Sequence, residues 1–276
     1  MVIGMTHPPS TSELPLTHST DGPAELADMV AAATAASTAL PSDHRHDVSI
    51  ARCDSSAVDQ SGRPLGPRAL RTRARILEAT LSLLDEKTMR DLRVIDIARA
   101  IGSSPATFYQ YFKDVNDVVL ELSSEITEFT PEMIELIHGD WTGRAGHERG
   151  LRLANLVADS WDRYRSILRI RNNAANEGDP EFMAVRLKAM LPMVMAFAEV
   201  IKASHAAGGI QESESHEWVG GNTRPLSGAM FMWASLEGMA IHLEIFENRF
   251  GPMGEGREAM IETMATMLQS TLTSTR

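Results

Sequence analysis

The fold is decided by residues 94–112, which read VIDIARAIGSSPATFYQYF. The first part predicts a short helix whose apolar face comprises Val94, Ile97, Ala98 and Ile101. Gly102 follows directly and tolerates the positive φ of a turn that ends a helix. Ser103 and Ser104 then precede Pro105, an arrangement typical of a serine N-cap with proline in the first turn. The stretch therefore predicts two short helices joined by a tight turn, the second running through Phe112.

A longer amphipathic helix is predicted ahead of this pair, beginning at Pro67. Its apolar stripe consists of Leu70, Ala74, Leu77, Leu81 and Leu84. The arginines between these positions are expected on the solvent side. From Arg63 to Lys113, ten cationic residues accompany five acidic ones, although the whole chain has a net charge of −11. A basic segment on an acidic chain is typical of a nucleic-acid-binding unit joined to a domain with another role.

A helix, a turn with glycine and a second helix, packed on a preceding helix, form a helix-turn-helix motif. Its second helix enters a DNA major groove about 12 Å wide, which favours a short helix with small or hydrogen-bonding side chains. We expect Phe108 and Phe112 to anchor this helix on the core. The Tyr109 hydroxyl, Lys113 and the start of the helix after Asp114 are expected near the phosphates. The side chains expected to project outward are Ala106, Thr107, Gln110 and Tyr111.

Residues 73–79 (RARILEA) and 94–112 resemble the N-terminal domain of the tetracycline-repressor (TetR) family. The most specific positions are Ile97-Ala98, Gly102-Ser103, Thr107-Phe108-Tyr109 and Tyr111-Phe112. The resemblance implies a homodimer, double-stranded operator DNA of palindromic sequence and a small-molecule inducer. It also implies DNA contacts from Ser103, Thr107, Tyr109 and Tyr111.

Two positions depart from the family pattern. Val115 replaces the lysine that usually follows the final phenylalanine by three residues, and Arg93 replaces the usual Ser or Thr cap of the second helix. Lys113 and Arg93 are candidates to make the phosphate contacts instead. The full set of expected DNA-binding residues is Arg68, Arg71, Arg93, Ser103, Ser104, Ala106, Thr107, Tyr109, Gln110, Tyr111 and Lys113.

The chain after the motif has helical periodicity nearly throughout. The predicted helices span about 114–138 with a bend at Pro131, 147–166 with a continuation to Asn176, and 180–207 with an Asp179 cap and a kink at Pro192. Residues 139–146 are expected to interrupt the helices. Two terminal helices, about 225–250 and 256–272, carry wide apolar faces. We expect them to pair with their copies in a second subunit as a four-helix interface.

An effector pocket is expected between the helices of this second domain, since cavities in helical bundles are common ligand sites. Methionine lines adaptable apolar sites, and the chain has 16 of them. The proposed lining residues are Trp161, Tyr164, Met183, Met190, Met193, Phe197, Met230 and Trp233. A small, apolar effector is expected.

The sequence contains no pattern typical of a metal site, a catalytic site or a membrane segment. Cys53 is the single cysteine, and the nine histidines show no metal-ligand spacing, so we expect no metal site and no cofactor. No nucleophile elbow or phosphate-binding glycine loop is apparent, so no catalytic residue is assigned and no enzyme is expected. Prolines interrupt residues 1–20 where a signal peptide needs an apolar run, and no 18-residue apolar run occurs. We expect a bacterial cytoplasmic protein without a membrane partner.

The sequence thus predicts an all-α protein in three parts. Residues 1–66 are expected to form a disordered N-terminal tail, because they contain few large apolar side chains. Residues 67–113 are expected to form a three-helix helix-turn-helix DNA-binding domain, and residues 114–276 are expected to form a helical effector-binding and dimerisation domain. The function expected is a repressor released from DNA by its effector. An effector-independent architectural DNA-binding protein, or a helical enzyme or ligand carrier, remain as alternatives.

Overall fold

The computed structural model describes residues 60–126, 129–207, 224–253 and 255–273. These residues are helical and contain no strand, which confirms the all-α fold class. The part of the predicted tail from residue 1 to 59 lies outside the described residues. The helices are α1 (Pro67–Glu86), α2 (Val94–Ala100), α3 (Pro105–Phe108), α4 (Val115–Glu125), α5 (Thr130–Ile137), α6 (Gly143–Asn176), α7 (Pro180–Ala207), α8 (Pro225–Phe250) and α9 (Arg257–Thr273), with a 3₁₀ turn at Gly251–Met253.

The first four helices enclose one apolar core, which we call the N-terminal core. Ile76 of α1, Ile97 of α2, Phe108 of α3 and Val118 of α4 are fully buried in it. One whole face of helix α4 packs into this core, because Val115, Val118, Val119 and Leu122 are all buried there. The core that supports the helix-turn-helix therefore extends beyond Lys113.

A single helix over 114–138 was predicted, and this prediction is wrong. Helix α4 ends at Glu125, and the chain leaves helical geometry at Ile126, where φ is −75° and ψ is 76°. A separate helix, α5, begins at Thr130 with Pro131 in its first turn. Proline lacks the N–H that an interior turn needs but fits the first turn without loss, so Pro131 begins a helix here instead of bending one.

The remaining helices enclose a second apolar core, the C-terminal core, built from α5 to α9. Helix α6 begins at Gly143 and not near residue 147 as predicted, so Gly146 lies inside it. A Cβ atom at Gly146 would lie 2.0 Å from the carbonyl oxygen of Trp141. Glycine at this helical position therefore has a packing role that the sequence pattern does not reveal.

Helix α6 takes part in both cores. Its first half contributes Leu153, Val157 and Trp161 to the C-terminal core, and its second half contributes Ile167 and Ala175 to the N-terminal core. Between them, Tyr164 departs from helical geometry with φ −117° and ψ 22°, close to the predicted break at Ser166. The helix thus connects the N-terminal core to the C-terminal core.

Helices α7, α8 and α9 have nearly the predicted bounds. The Asp179 carboxylate accepts hydrogen bonds from the backbone N–H of Glu181 and Phe182 at 3.0 and 3.1 Å, which confirms the predicted cap. Helices α8 and α9 present large apolar side chains to solvent, and these are Leu226, Met230, Phe231, Ile241, Ile245 and Met267. We call this set the outer apolar face.

Candidate nucleic-acid interface and effector cavity

The turn between α2 and α3 has the geometry that the sequence predicts. Gly102 has φ +62°, and the Ser103 N–H donates to the Ala98 carbonyl at 2.8 Å, which closes the end of α2. The Ser104 hydroxyl accepts from the Thr107 N–H at 3.3 Å and lies 3.1 Å from the Thr107 hydroxyl. Ser104 is therefore the N-cap of α3.

Helix α3 is a single turn that ends at Phe108, although a helix through Phe112 was predicted. The chain continues as hydrogen-bonded turns, in which the N–H groups of Tyr111 and Phe112 both donate to the Phe108 carbonyl at 2.9 and 3.1 Å. Phe108 and Phe112 are 0% and 1% exposed, with ring centroids 5.9 Å apart. These two rings fix the segment on the N-terminal core, as expected. We call residues 104–112 the recognition segment.

The outward side of the recognition segment carries most of the predicted contact residues. Ser104, Ala106 and Gln110 are exposed, Thr107 is half-exposed, and Tyr109 is 53% exposed. The Tyr109 ring packs edge-on against Phe108, with the ring planes at 87°, so its orientation is fixed while its surface remains accessible. Ser103 and Tyr111 are half-buried, and Lys113 is exposed.

The arginines of α1 divide into two groups. Arg68 and Arg71 are exposed, as is Arg93 before α2. Arg73, expected on the solvent side, instead forms an ion pair with Glu121 of α4, and its guanidinium lies 5.2 Å from the centre of the Phe112 ring. Arg75 donates to the Ile101 carbonyl. Both contacts hold α1 against its neighbours. The ion pair removes Arg73 from the basic surface, whereas Arg75 remains exposed, so the basic surface is smaller than the count of cations suggests.

A concave surface brings the start of α1 to the recognition segment. Arg68 and Thr72 line it together with Thr107, Gln110 and Tyr111. The backbone N–H and side-chain amide of Gln60 donate to the carbonyls of Gln110 and Tyr111 at 3.1 and 3.0 Å. The described chain before α1 is thus hydrogen-bonded to the end of the recognition segment.

The starts of α2 and α4 are capped by acidic side chains. The Asp96 carboxylate accepts from the Arg93 N–H at 3.1 Å and lies 3.2 Å from the Lys87 ammonium, and these contacts lower the pKa of Asp96 below its usual value. At α4, Asp114 accepts from the Asp117 N–H, and Asp117 accepts from the Lys113 N–H, both at 2.9 Å. These carboxylates occupy the N–H groups of Lys113 and Asp117, and the exposed Lys113 side chain is the cationic group at this helix start.

A cavity of about 70 Å³ lies between the end of α4 and helices α5 to α8. Four of the predicted effector residues, Trp161, Met190, Met193 and Trp233, line it. The others do not. Tyr164 and Phe197 are buried in the C-terminal core outside the lining, and Met183 and Met230 are 36% and 42% exposed.

Three charged residues in the cavity wall were not predicted. Glu237 of α8 lies between two guanidiniums, accepting from Arg186 at 3.2 Å and lying 3.8 Å from Arg171. The Arg171 side chain is 8% exposed, and burial lowers its pKa to about 10, which leaves it protonated at neutral pH. A signal was present in the sequence, because Arg171 and Asn172 follow Ile167 and Leu168 at helical spacing on the buried face of α6.

The described residues lack two further features. None of the described helices combines the length and apolar character that crossing a bilayer requires. Within the same residues, no three His, Cys, Asp or Glu side chains are grouped as metal ligands would be.

Solved structures resemble this fold at low sequence identity. The fatty acid degradation regulator FadR from Bacillus halodurans matches with a TM-score of 0.52 and 14% identity, over 75% of this chain and 97% of that protein. A protein from Syntrophomonas wolfei assigned to the TetR family has a TM-score of 0.48 at 18% identity, over 73% and 95% of the two chains. A TetR/AcrR-family regulator from Thermobifida fusca has a TM-score of 0.44 at 21% identity, over 72% and 97%. No curated protein sequence matches significantly.

Family models give the decisive comparison. Residues 76–122 match the model of bacterial regulatory proteins of the tetR family, and this range contains α2, the turn and the recognition segment. Residues 133–241 match the model of the C-terminal domain of tetracyclin repressor-like proteins, which contains most of the cavity wall. The two matches together cover more than half of the chain, and both agree with the geometry described above. The chain therefore belongs to the TetR family and is a DNA-binding transcriptional regulator.

Proposed function

We propose that this regulator is a homodimeric repressor in the bacterial cytoplasm that binds a palindromic operator and is released by a small molecule. The observation that carries the proposal is the recognition segment, in which two buried phenylalanines hold a short turn of helix whose polar side chains face solvent. This arrangement suits insertion into a major groove, where base edges are read by hydrogen bonds. Because the cavity lies between helices of the second domain and most of its lining side chains are apolar, we assign that domain to sensing and not to catalysis.

We assign the DNA contacts by the exposure of each side chain. Ala106, Thr107 and Gln110 are the candidates for reading bases, because they are exposed or half-exposed on the recognition segment. Tyr109 and Lys113 are candidates for phosphate contacts. The remaining phosphate candidates are Arg68, Arg71, Arg93, Ser103, Ser104 and Tyr111.

Dimerisation is assigned to the outer apolar face of α8 and α9. Phe231 is 76% exposed and Ile245 is 55% exposed, although large apolar side chains are usually buried in soluble proteins. A two-fold interface buries the same surface of both protomers, so one apolar face per protomer is sufficient. The pairing would present two recognition segments to successive major grooves, roughly 34 to 36 Å apart.

Release by an effector is supported by the position of the cavity. Arg171 lines the cavity, and Ala175, one turn further along α6, is buried in the N-terminal core. Helix α7 repeats the pattern, with Phe182 in the N-terminal core and Met190 at the cavity. A molecule that binds more tightly when the end of α6 and the start of α7 have shifted would favour that shifted conformation. In that conformation the two recognition segments would no longer fit the DNA grooves.

Selection of bound fragments from a random DNA pool at physiological salt tests the proposal. We expect one palindromic sequence whose half-sites are centred about one helical turn apart. A chain with Gln110→Ala serves as the matched variant, because Gln110 is exposed and its loss leaves the core intact. We expect this variant to select a less defined half-site. If the unmodified protein enriches no sequence over the starting pool, the proposed function is wrong.

A further inference from the structure

The cavity wall has more positive than negative charge. Its charged members among the described residues are Arg171, Arg186 and Glu237. The carboxylate of Glu237 lies near both guanidiniums, and it also accepts a hydrogen bond from the Asn172 side-chain amide at 3.0 Å. The Arg171 Nε donates to the Asn172 side-chain oxygen at 3.0 Å, but its guanidinium is 3.8 Å from Glu237, too far for a hydrogen bond to that carboxylate. A buried cation that is only loosely paired is costly, and an added anion would offset that cost.

The rest of the wall is apolar. Phe129, Met133, Trp161, Met193 and Trp233 face the same space. A molecule that fits this wall has an apolar portion against the aromatic and methionine side chains and a negative group at the arginines. Guanidinium groups bind carboxylates through paired hydrogen bonds, so a carboxylate is the simplest matching group.

We propose that the effector is an apolar carboxylate whose charged group binds between Arg171 and Arg186. This inference rests on the proposed function for its regulatory meaning, but the binding site itself does not depend on DNA. It refines the expectation of a small, apolar effector. The cavity of about 70 Å³ is smaller than such a molecule. Binding therefore requires adjacent side chains to move, and methionine side chains such as Met190 and Met193 adapt readily.

The test is isothermal titration calorimetry of the full chain, without DNA, against straight-chain alkanoates from butanoate to dodecanoate. Each alkanoate is compared at fixed salt with the alcohol and the alkylammonium of the same chain length. We expect at least one alkanoate to bind roughly tenfold or more tightly than its alcohol, since the alcohol has neither the negative charge nor the second oxygen that pair with a guanidinium. We expect no binding of the alkylammonium ions. If no alkanoate binds, or if alcohols bind equally well, the inference is wrong.

Two substitutions separate an anion site from a structural ion network. Arg186→Gln should weaken alkanoate binding roughly tenfold or more, because one of the two guanidiniums is removed. Glu237→Gln should tighten it roughly tenfold, because the competing carboxylate is removed. The matched control is Arg169→Gln, which removes an equal charge from an exposed position on α6 and should leave alkanoate affinity unchanged. Thermal unfolding of each variant shows whether it is folded.

The outcomes distinguish this inference from the proposed function. If alkanoates bind and the DNA selection yields an operator, the bound alkanoate should also lower operator affinity. If the operator is found but Glu237→Gln does not tighten alkanoate binding, the arginines serve only the fold and the inference is wrong. If alkanoates bind as expected while no DNA is preferred, the site is supported and the proposed function is wrong.

Discussion

Phe231→Ala should dissociate the proposed dimer, because Phe231 is the most exposed of the large apolar side chains on the outer apolar face. Complete burial of a phenylalanine side chain contributes about 1.5 to 3 kcal/mol. With 76% of Phe231 available for burial, each protomer would lose about three quarters of that amount. A two-fold interface contains the substitution twice, so the loss is about 2 to 5 kcal/mol. This corresponds to a dimer Kd raised roughly thirtyfold to several thousandfold.

Sedimentation equilibrium of the full chain over a range of protein concentrations measures that Kd directly. Met183→Ala is the matched control, since Met183 is an exposed apolar residue on α7, outside the outer apolar face. We expect the control to keep the dimer Kd of the unmodified protein. A Phe231→Ala chain that dimerises as tightly as the control would refute the assignment of the interface to this face.

Three further predictions concern the DNA-binding part. Tyr109→Phe should weaken binding to every DNA sequence by a similar factor in a fluorescence anisotropy titration, because its hydroxyl is assigned to a phosphate. Phe108→Ala should lower the free energy of unfolding by about 3 to 5 kcal/mol in a urea titration, because the Phe108 ring is fully buried. Asp96→Ala should lower the free energy of unfolding at neutral pH. The difference in this free energy between the variant and the unmodified protein should shrink as the pH falls through the lowered pKa of Asp96.

Each of these predictions has a clear contrary result. A Tyr109→Phe chain with unchanged affinity for all DNA would mean that the recognition segment is wrongly oriented. Loss of less than about 1 kcal/mol in Phe108→Ala would mean that the ring is not part of a packed core. For Asp96, the sign follows from the direction of the shift, since a carboxyl with a lowered folded pKa stabilises the protein above its unfolded value, near 3.8. A stability difference that grew towards acidic pH would contradict the cap.

The helix-turn-helix could be predicted because its signals are local. Gly102, Ser104 and Pro105 determine backbone geometry within one or two residues, and the structure has the expected turn and cap. The break between α4 and α5 could not be predicted in the same way. Apolar spacing continues from Val115 to Phe129 without a gap, so periodicity alone favours one helix. The choice between a bend and a new helix at Pro131 depends on tertiary packing.

The lining of the cavity between α5 and α8 was only partly predictable, because residue type does not determine which side chains of a helix face inward. Met183 and Met190 both lie on α7, yet the first is exposed and the second lines the cavity. The arginines illustrate the same limit. Arg71 and Arg73 are two residues apart on α1, but only Arg73 turns inward to Glu121. A count of cations therefore overestimates the surface that is available to DNA.

The division of α6 between two cores restricts how the DNA-binding part can be exchanged between proteins. Ile167 and Ala175 of α6, together with Phe182 of α7, are buried and fill space beneath α1 to α4. A fragment that ended after α4 would lose these side chains and expose the surface that they cover. A chimaera that takes helices α1 to α4 from a relative must therefore also match these three positions. Otherwise the transplanted helices will lack part of their apolar core.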